Sequence, residues 1–263
     1  MNARHIAMLA MALLAPTMPA VAAHHFLSHL HRSSGRQRRV YTNDIFTIDP
    51  GTVEMEFGVN TGSDLTTIPT VLKYEPDTDF FLIHQTEFSF SSDTMTRYLP
   101  GEHPVLQFAD QQSIAVLRPV FQRQTVSIAI QPQVTFFVRG DEAARWGGAL
   151  LGGWAKARNS VVGSVTWSAT TRASDANPAH EYDYELTYTR GLSKRWSALL
   201  DASWSQPARQ TQFGYLAEGV LYKISDRLTL DAAIREQDLG TGNMHPHFTG
   251  GFVYNFGRIG RRH

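Results

Sequence analysis

Residues 180–189 read HEYDYELTYT. Tyr182, Tyr184, Leu186 and Tyr188 fall on one phase, and Glu181, Asp183, Glu185 and Thr187 fall on the other. Successive side chains of an extended chain point to opposite faces, so this stretch reads as a strand with one apolar, aromatic face and one acidic face. The same period of two continues on both sides. Val53, Met55, Phe57 and Val59 alternate with Glu54, Glu56, Gly58 and Asn60. Phe248, Gly250, Phe252, Tyr254 and Phe256 alternate with His247, Thr249, Gly251, Val253 and Asn255. Segments 126–138, 161–170 and 228–235 repeat the pattern, and no helical periodicity follows residue 23.

Strands are expected near 52–60, 67–75, 79–91, 113–122, 125–138, 146–157, 160–171, 180–189, 195–206, 212–224, 227–237 and 247–257. Their connections sort by length. Tight turns at Asp77-Thr78, Arg123-Gln124, Arg158-Asn159, Arg190 to Lys194 and Ser225-Asp226 alternate with longer loops around 61–66, 92–112, 139–145, 172–179, 207–211 and 238–246. Short turns at one end and long loops at the other is the layout of an outer-membrane barrel, and a sandwich has no reason to adopt it. The predicted fold is therefore all-β: a single antiparallel transmembrane β-barrel of about twelve strands. Pro69, Pro119 and Pro132 fall inside these strands and imply bulges or shifted boundaries, because each removes a ladder donor. Segments 80–91 and 212–224 alternate poorly, which leaves their facing open, and His84 would face lipid in the simplest register.

Composition agrees. The chain has 263 residues with a mean hydropathy of −0.25, which excludes a helical membrane bundle. Lys+Arg and Asp+Glu both number 24, so bulk charge gives no reason to expect nucleic acid as a partner. Cysteine is absent, which removes disulfide scaffolds, zinc–thiolate sites and cysteine nucleophiles together. Residues 1–23 read MNARHIAMLAMALLAPTMPAVAA. Arg4 and His5 precede an apolar core from Ile6 to Ala15, Pro16 breaks it, and Ala20 to Ala23 supply small residues for cleavage. That is a secretory signal, too short to span a bilayer as a helix. The expected organisation is a signal peptide over 1–23, a His/Arg-rich periplasmic leader over 24–50, the barrel over 51–257 and a basic tail over 258–263. The expected location is the bacterial outer membrane.

Tryptophan spacing supports the same picture. Trp146 and Trp154 share one face of a strand eight residues apart, and so do Trp196 and Trp204. Eight residues at about 3.3 Å rise, tilted by about 40°, span roughly 20 Å, close to the height of an apolar band between aromatic girdles.

Two stretches carry a family resemblance. Asp44 to Val59, DIFTIDPGTVEMEFGV, opens its strand on a Pro-Gly-Thr-x-Glu step. Near the end, DRLTLDAAIREQDLGTG is followed by HFTGGFVYNFGR. Together they resemble outer-membrane transporters of the meta-pathway phenol-degradation type, over about a fifth of the chain. The resemblance implies a channel for small organic compounds and carries over no catalytic residues. One departure is the tail GRIGRRH, which follows Phe256 where such chains end on an aromatic residue that resembles a signal to the barrel-insertion machinery.

The polar phase supplies the candidate lumen lining. It holds the acids Glu54, Glu56, Glu87, Asp183, Glu185, Asp201, Glu218 and Asp231 and the bases Lys73, Arg139 and Arg235. Mixed charges in a pore set ion selectivity and orient polar solutes, and the acidic excess predicts cation preference. The alternative is that they pair across the lumen and seal it. The loop 92–112 would narrow or cover the mouth, or simply stand exposed. His24, His25, His29 and His31 have a density that suits Cu(II), Ni(II) or Zn(II), but Arg32, Arg36, Arg38 and Arg39 beside them favour a basic leader near anionic headgroups. No cofactor and no metal is therefore expected. The expected function is passive passage of a small solute, with outer-membrane lipid, the insertion machinery and the solute as partners. Two other readings are a closed structural or adhesive barrel working through its loops, and a barrel hydrolase using His180 or His245, for which no Gly-x-Ser-x-Gly motif is present.

Overall fold

Twelve strands form one closed antiparallel sheet. They are β1 (Thr52–Thr61), β2 (Leu65–Tyr74), β3 (Glu87–Arg97), β4 (Val105–Gln122), β5 (Val126–Phe137), β6 (Arg145–Lys156), β7 (Asn159–Thr170), β8 (His180–Gly191), β9 (Trp196–Pro207), β10 (Phe213–Lys223), β11 (Leu228–Gln237) and β12 (His245–Arg258). The structure, a computed structural model, describes residues 48–61, 65–77, 85–97, 105–137, 144–171, 179–207, 213–237 and 245–258. No helix occurs among the described residues. Each strand pairs with its sequence neighbours, and β12 closes the ring on β1, where Phe57 stacks on Phe252 at 5.4 Å. Closure leaves no unpaired edge, which is what a sheet in hydrocarbon requires. Gly51 starts β1. Its φ of +78° lies where a side chain is strained, and its N–H donates to the Glu75 carbonyl at 2.7 Å.

Burial is inverted relative to a soluble sheet. Leu150 is 56% exposed, and Tyr184, Leu186, Ile128 and Ile234 are exposed with it on the outer face. Glu54 is 2% exposed, and Glu56, Lys73, Asp201 and Ser164 are buried on the inner face. Water would penalise such an outer surface, whereas lipid would not. The alternation read in β1 and β8 is thus a lipid-facing phase against an inward phase.

Connections at the end bearing the two termini are 75–86, 123–125, 157–158, 192–195 and 224–227. At the other end they are 62–64, 98–104, 138–144, 171–179, 208–212 and 238–244. The expected sorting by length holds with two exceptions: 75–86 is long and 62–64 is short. The tight turn expected at Asp77-Thr78 is part of that longer connection, and the strand expected from residue 79 begins at Glu87. His84 lies outside the described residues.

The loop expected over 92–112 is mostly strand. β3 continues to Arg97, and β4, with 18 residues, begins at Val105. Eighteen residues at about 3.3 Å rise and about 40° tilt stand roughly 45 Å tall, well beyond an apolar band of about 25 Å. The upper stretch holds Gln107, Asp110, Gln111 and Gln112, above the level at which lipid demands apolar alternates. The prolines behave differently from one another. The register shifts between Pro119 and Phe121, and Pro69 faces Asp93 beside a second shift between Asp93 and Met95. Pro132 pairs with Gly148 without any shift.

Candidate functional site: the inner face of the barrel

Two charged groups stand on the inner wall. The first lies on β1–β3. Glu54 and Lys73 are direct cross-strand partners, and Glu56 lies two residues further along the same face. The Lys73 ammonium donates to Glu54 Oε1 at 3.3 Å and to Glu56 Oε1. All three are buried, so each charge depends on its partners to replace water. Glu87, also buried, accepts the Ile48 N–H at 3.0 Å, which fixes the chain entering β1 against the base of β3.

The second group spans β8–β11. The Tyr215 hydroxyl donates to Asp201 Oδ2 at 3.1 Å and reaches Glu185 Oε1 at 3.4 Å. Thr187 donates to Asp201, and Ser205 donates to Asp183. The Arg235 guanidinium lies 3.6 Å from the centre of the Tyr215 ring, a cation–π contact. Asp231 shares this inward phase. Nearer the loop end, Arg145 pairs with Glu181 at 2.9 Å across β7.

Apart from Arg145 at the loop end of β6, the described inner face of the arc between them, β4–β7, is uncharged. Leu117, Ala129, Ala149 and Leu151 form a buried cluster with Val162 packed on it. Leu151 and Ala129 are 0% exposed, so the lining at this height is packed rather than bathed in water. Twelve strands fall between the eight that side chains can fill and the sixteen or more that leave an aqueous channel, and a tight interior fits that interval.

The residues expected on the lumen thus divide. Glu54, Glu56, Lys73 and Glu87 come together on one arc, and Asp183, Glu185, Asp201, Asp231 and Arg235 on another. Arg139 lies outside the described residues. Glu218 is a correction: it points outward and is exposed. Its pairing partners Leu200 and Ile234 are on the outer face, and Ala217 and Leu221 on either side of it are buried inward. In Phe213–Lys223 apolar residues occupy both phases, so assuming that charge turns inward chose the wrong one. The same error hid Tyr215, which has no other sequence signal. Arg145 and Glu181 stood at strand starts that the sequence placed only approximately.

Of the two histidines of the hydrolase reading, the structure describes the side chain of His180, which turns away from the neighbouring acids. His180 shares the outer face and stacks on Trp167 at 5.9 Å, while Glu181 and Asp183 turn inward. The side chain of His245, and residues 24–31, lie outside the described part. Trp146, Trp154 and Trp196 are exposed on the outer face, and Trp204 lies on that face too. Trp146 and Trp204 sit near the loop end, and Trp154 and Trp196 near the turn end. Edge-on packing of Trp146 with Trp167 and the Trp196–Tyr222 pair at 4.5 Å extend the two belts.

No protein-family profile matches the chain, and no curated protein matches it in sequence. Solved structures match its fold. NanC porin has a TM-score of 0.56 at 8% identity, covering 77% of this chain and 98% of that one. KdgM porin has a TM-score of 0.54 at 8% identity, covering 76% and 98%. The COG4313 outer membrane channel from Pseudomonas putida F1 has a TM-score of 0.55 at 11% identity, covering 83% and 100%. At these identities the likeness is one of fold. The chain is a twelve-stranded antiparallel barrel with the fold of outer-membrane porins and channels.

Proposed function

We propose that this chain is exported, with cleavage near Ala23, to the bacterial outer membrane, where it passes small solutes by diffusion along its inner wall with preference for cations. The observation that carries this is the charge of that wall. Acidic side chains outnumber basic ones among the inward-facing described residues, and they stand in two arcs with Lys73, Arg145 and Arg235 as local counter-charges. A charged wall of one sign raises the local concentration of counter-ions. The resemblance of both ends of the barrel to the phenol-degradation transporters adds small organic compounds as the solute class. KdgM porin has been solved with oligogalacturonate, a polyanion, and the acidic wall here suits the opposite charge.

A second reading has its own support. The packed lining around Leu151 and Ala129 favours a closed barrel that works through its loops. Single-channel recording of the refolded chain in a planar bilayer separates the two. Small ohmic steps with a cation-selective reversal potential, reduced by Asp201→Asn, support passage. Silence from a folded barrel, or anion selectivity, refutes it.

A further inference from the structure

We propose that the turn end of the barrel, from β4 to β9, is a binding surface for anionic phospholipid. This rests on the barrel standing in a bilayer and not on passage. The three turns on that side carry Arg123, Lys156, Arg158, Arg190, Lys194 and Arg195, while residues 119–129, 153–161 and 188–199 hold no Asp or Glu. All six are exposed except Arg190, which is half-buried. Arg158 donates to the Leu192 carbonyl at 3.4 Å, which ties two of the turns together and leaves its charge intact. Acids do stand at this end on the other side of the barrel, at Asp49, Asp77 and Asp226, the last paired with Lys223 at 2.7 Å. Carboxylates are thus tolerated at this depth, and a sector of cations without them suits a partner of negative charge.

The register sets the depth of the cations. Trp154, Val161 and Tyr188 form one outward row, and Lys156, Asn159 and Arg190 form the next outward row towards the turns. The second row lies two residues on, about 5 Å at about 3.3 Å rise and about 40° tilt. Aromatic belts sit at headgroup level, so this row stands beside lipid phosphates. A soluble polyanion would meet the turn tips but not Lys156 and Arg190 on the lipid-facing wall. A zwitterionic headgroup has no net charge and gives no reason to exclude carboxylates. The β4 bulge adds a seat for one lipid. The ladder shifts between Pro119 and Phe121, and Val120 is 56% exposed there. Gln85 and residues 119–124 bound an open groove of about 520 Å³. Val120 and Phe121 offer an acyl chain an apolar floor. The Arg123 guanidinium, 5.5 Å from the centre of the Phe121 ring, and the exposed amides of Gln85, Gln122 and Gln124 offer donors to a phosphate.

The test uses the full chain folded into phosphatidylcholine vesicles that contain a minor fraction of acyl-brominated lipid, either phosphatidylglycerol or phosphatidylcholine. Replacing Trp146, Trp167 and Trp204 by Phe leaves Trp154 and Trp196 to report from the turn end; replacing Trp154 and Trp196 instead leaves the loop end to report. Turn-end quenching should favour phosphatidylglycerol over phosphatidylcholine by about fivefold at low salt and fall towards equality as salt rises. The loop end should show no such preference. Arg123→Gln should reduce the turn-end preference, and Arg123→Gln with Lys156→Gln and Arg190→Gln should abolish it. The salt series on the chain with its cations intact needs no charge variant to fold. Equal quenching by the two lipids at the turn end overturns the inference, and so does the same preference at both ends or a preference that survives the triple replacement. A preference erased by inorganic phosphate, but not by chloride of the same ionic strength, would assign the cations to a soluble anion and overturn it too. Quenching by neither lipid would sink the bilayer placement and this inference with it. A silent barrel in conductance recordings that still prefers phosphatidylglycerol would sink the passage reading alone.

Discussion

Lys73 shows most directly how the inner wall is held. Its ammonium lies against Glu54 and Glu56, all three buried, so removing it would leave carboxylates without water or their cation. Lys73→Met should destabilise the barrel by about 3 kcal/mol, read from the urea midpoint of folding into bilayers. Adding Glu54→Gln and Glu56→Gln should recover much of that loss. Glu218 is the opposite case. It sits on the outer face between Leu200 and Ile234, where a charge gains nothing from lipid. Glu218→Leu should stabilise the protein by about 1 kcal/mol in the same assay, since a carboxylate on the lipid face is penalised less than Arg or Lys. A destabilised variant would show that Glu218 faces something other than hydrocarbon.

Among the elements, the β10–β11 pair is a tight seam that a small change can probe. A Cβ on Gly219 would meet the Ala232 carbonyl oxygen at 2.6 Å and the Ala233 Cβ at 2.6 Å. Backbone cannot move aside as a flexible side chain can. Gly219→Ala should therefore cost about 1–3 kcal/mol, with normal folding of Gly152→Ala, a position with nothing close to its added Cβ, as the control. The β3–β4 hairpin teaches a different lesson. Its upper half lies above the apolar band, so polar residues such as Gln107 and Gln111 carry no sign of strand there. They are held by pairing with their neighbours rather than by a lipid-facing pattern.

At the scale of the whole molecule, closure and inversion act together. A ring of twelve paired strands satisfies its backbone internally, and its apolar phase then has to meet hydrocarbon. Trp146, Trp154 and Trp196 stand on that outer face. Their fluorescence in liposomes should be quenched by lipids brominated on the acyl chains and hardly changed by aqueous iodide. The reverse pattern would show that the barrel does not sit in the bilayer.

Strand identity, strand number and the lipid-facing phase of β1, β5, β7, β8, β11 and β12 were legible in the residues alone, because alternation is a local property of two to ten neighbours and lipid enforces it at every step. The acidic character of the wall followed from the same phases. What only the tertiary structure decided is non-local. The facing of β10 came from its partners on β9 and β11, since its own residues suit either side. The reach of β3 and β4 came from pairing above the membrane, where polarity stops reporting structure. The grouping of Glu54 with Lys73, of Asp201 with Tyr215 and Arg235, and of the uncharged lining between them came from register, which joins residues far apart in the chain through hydrogen bonds that no local pattern encodes.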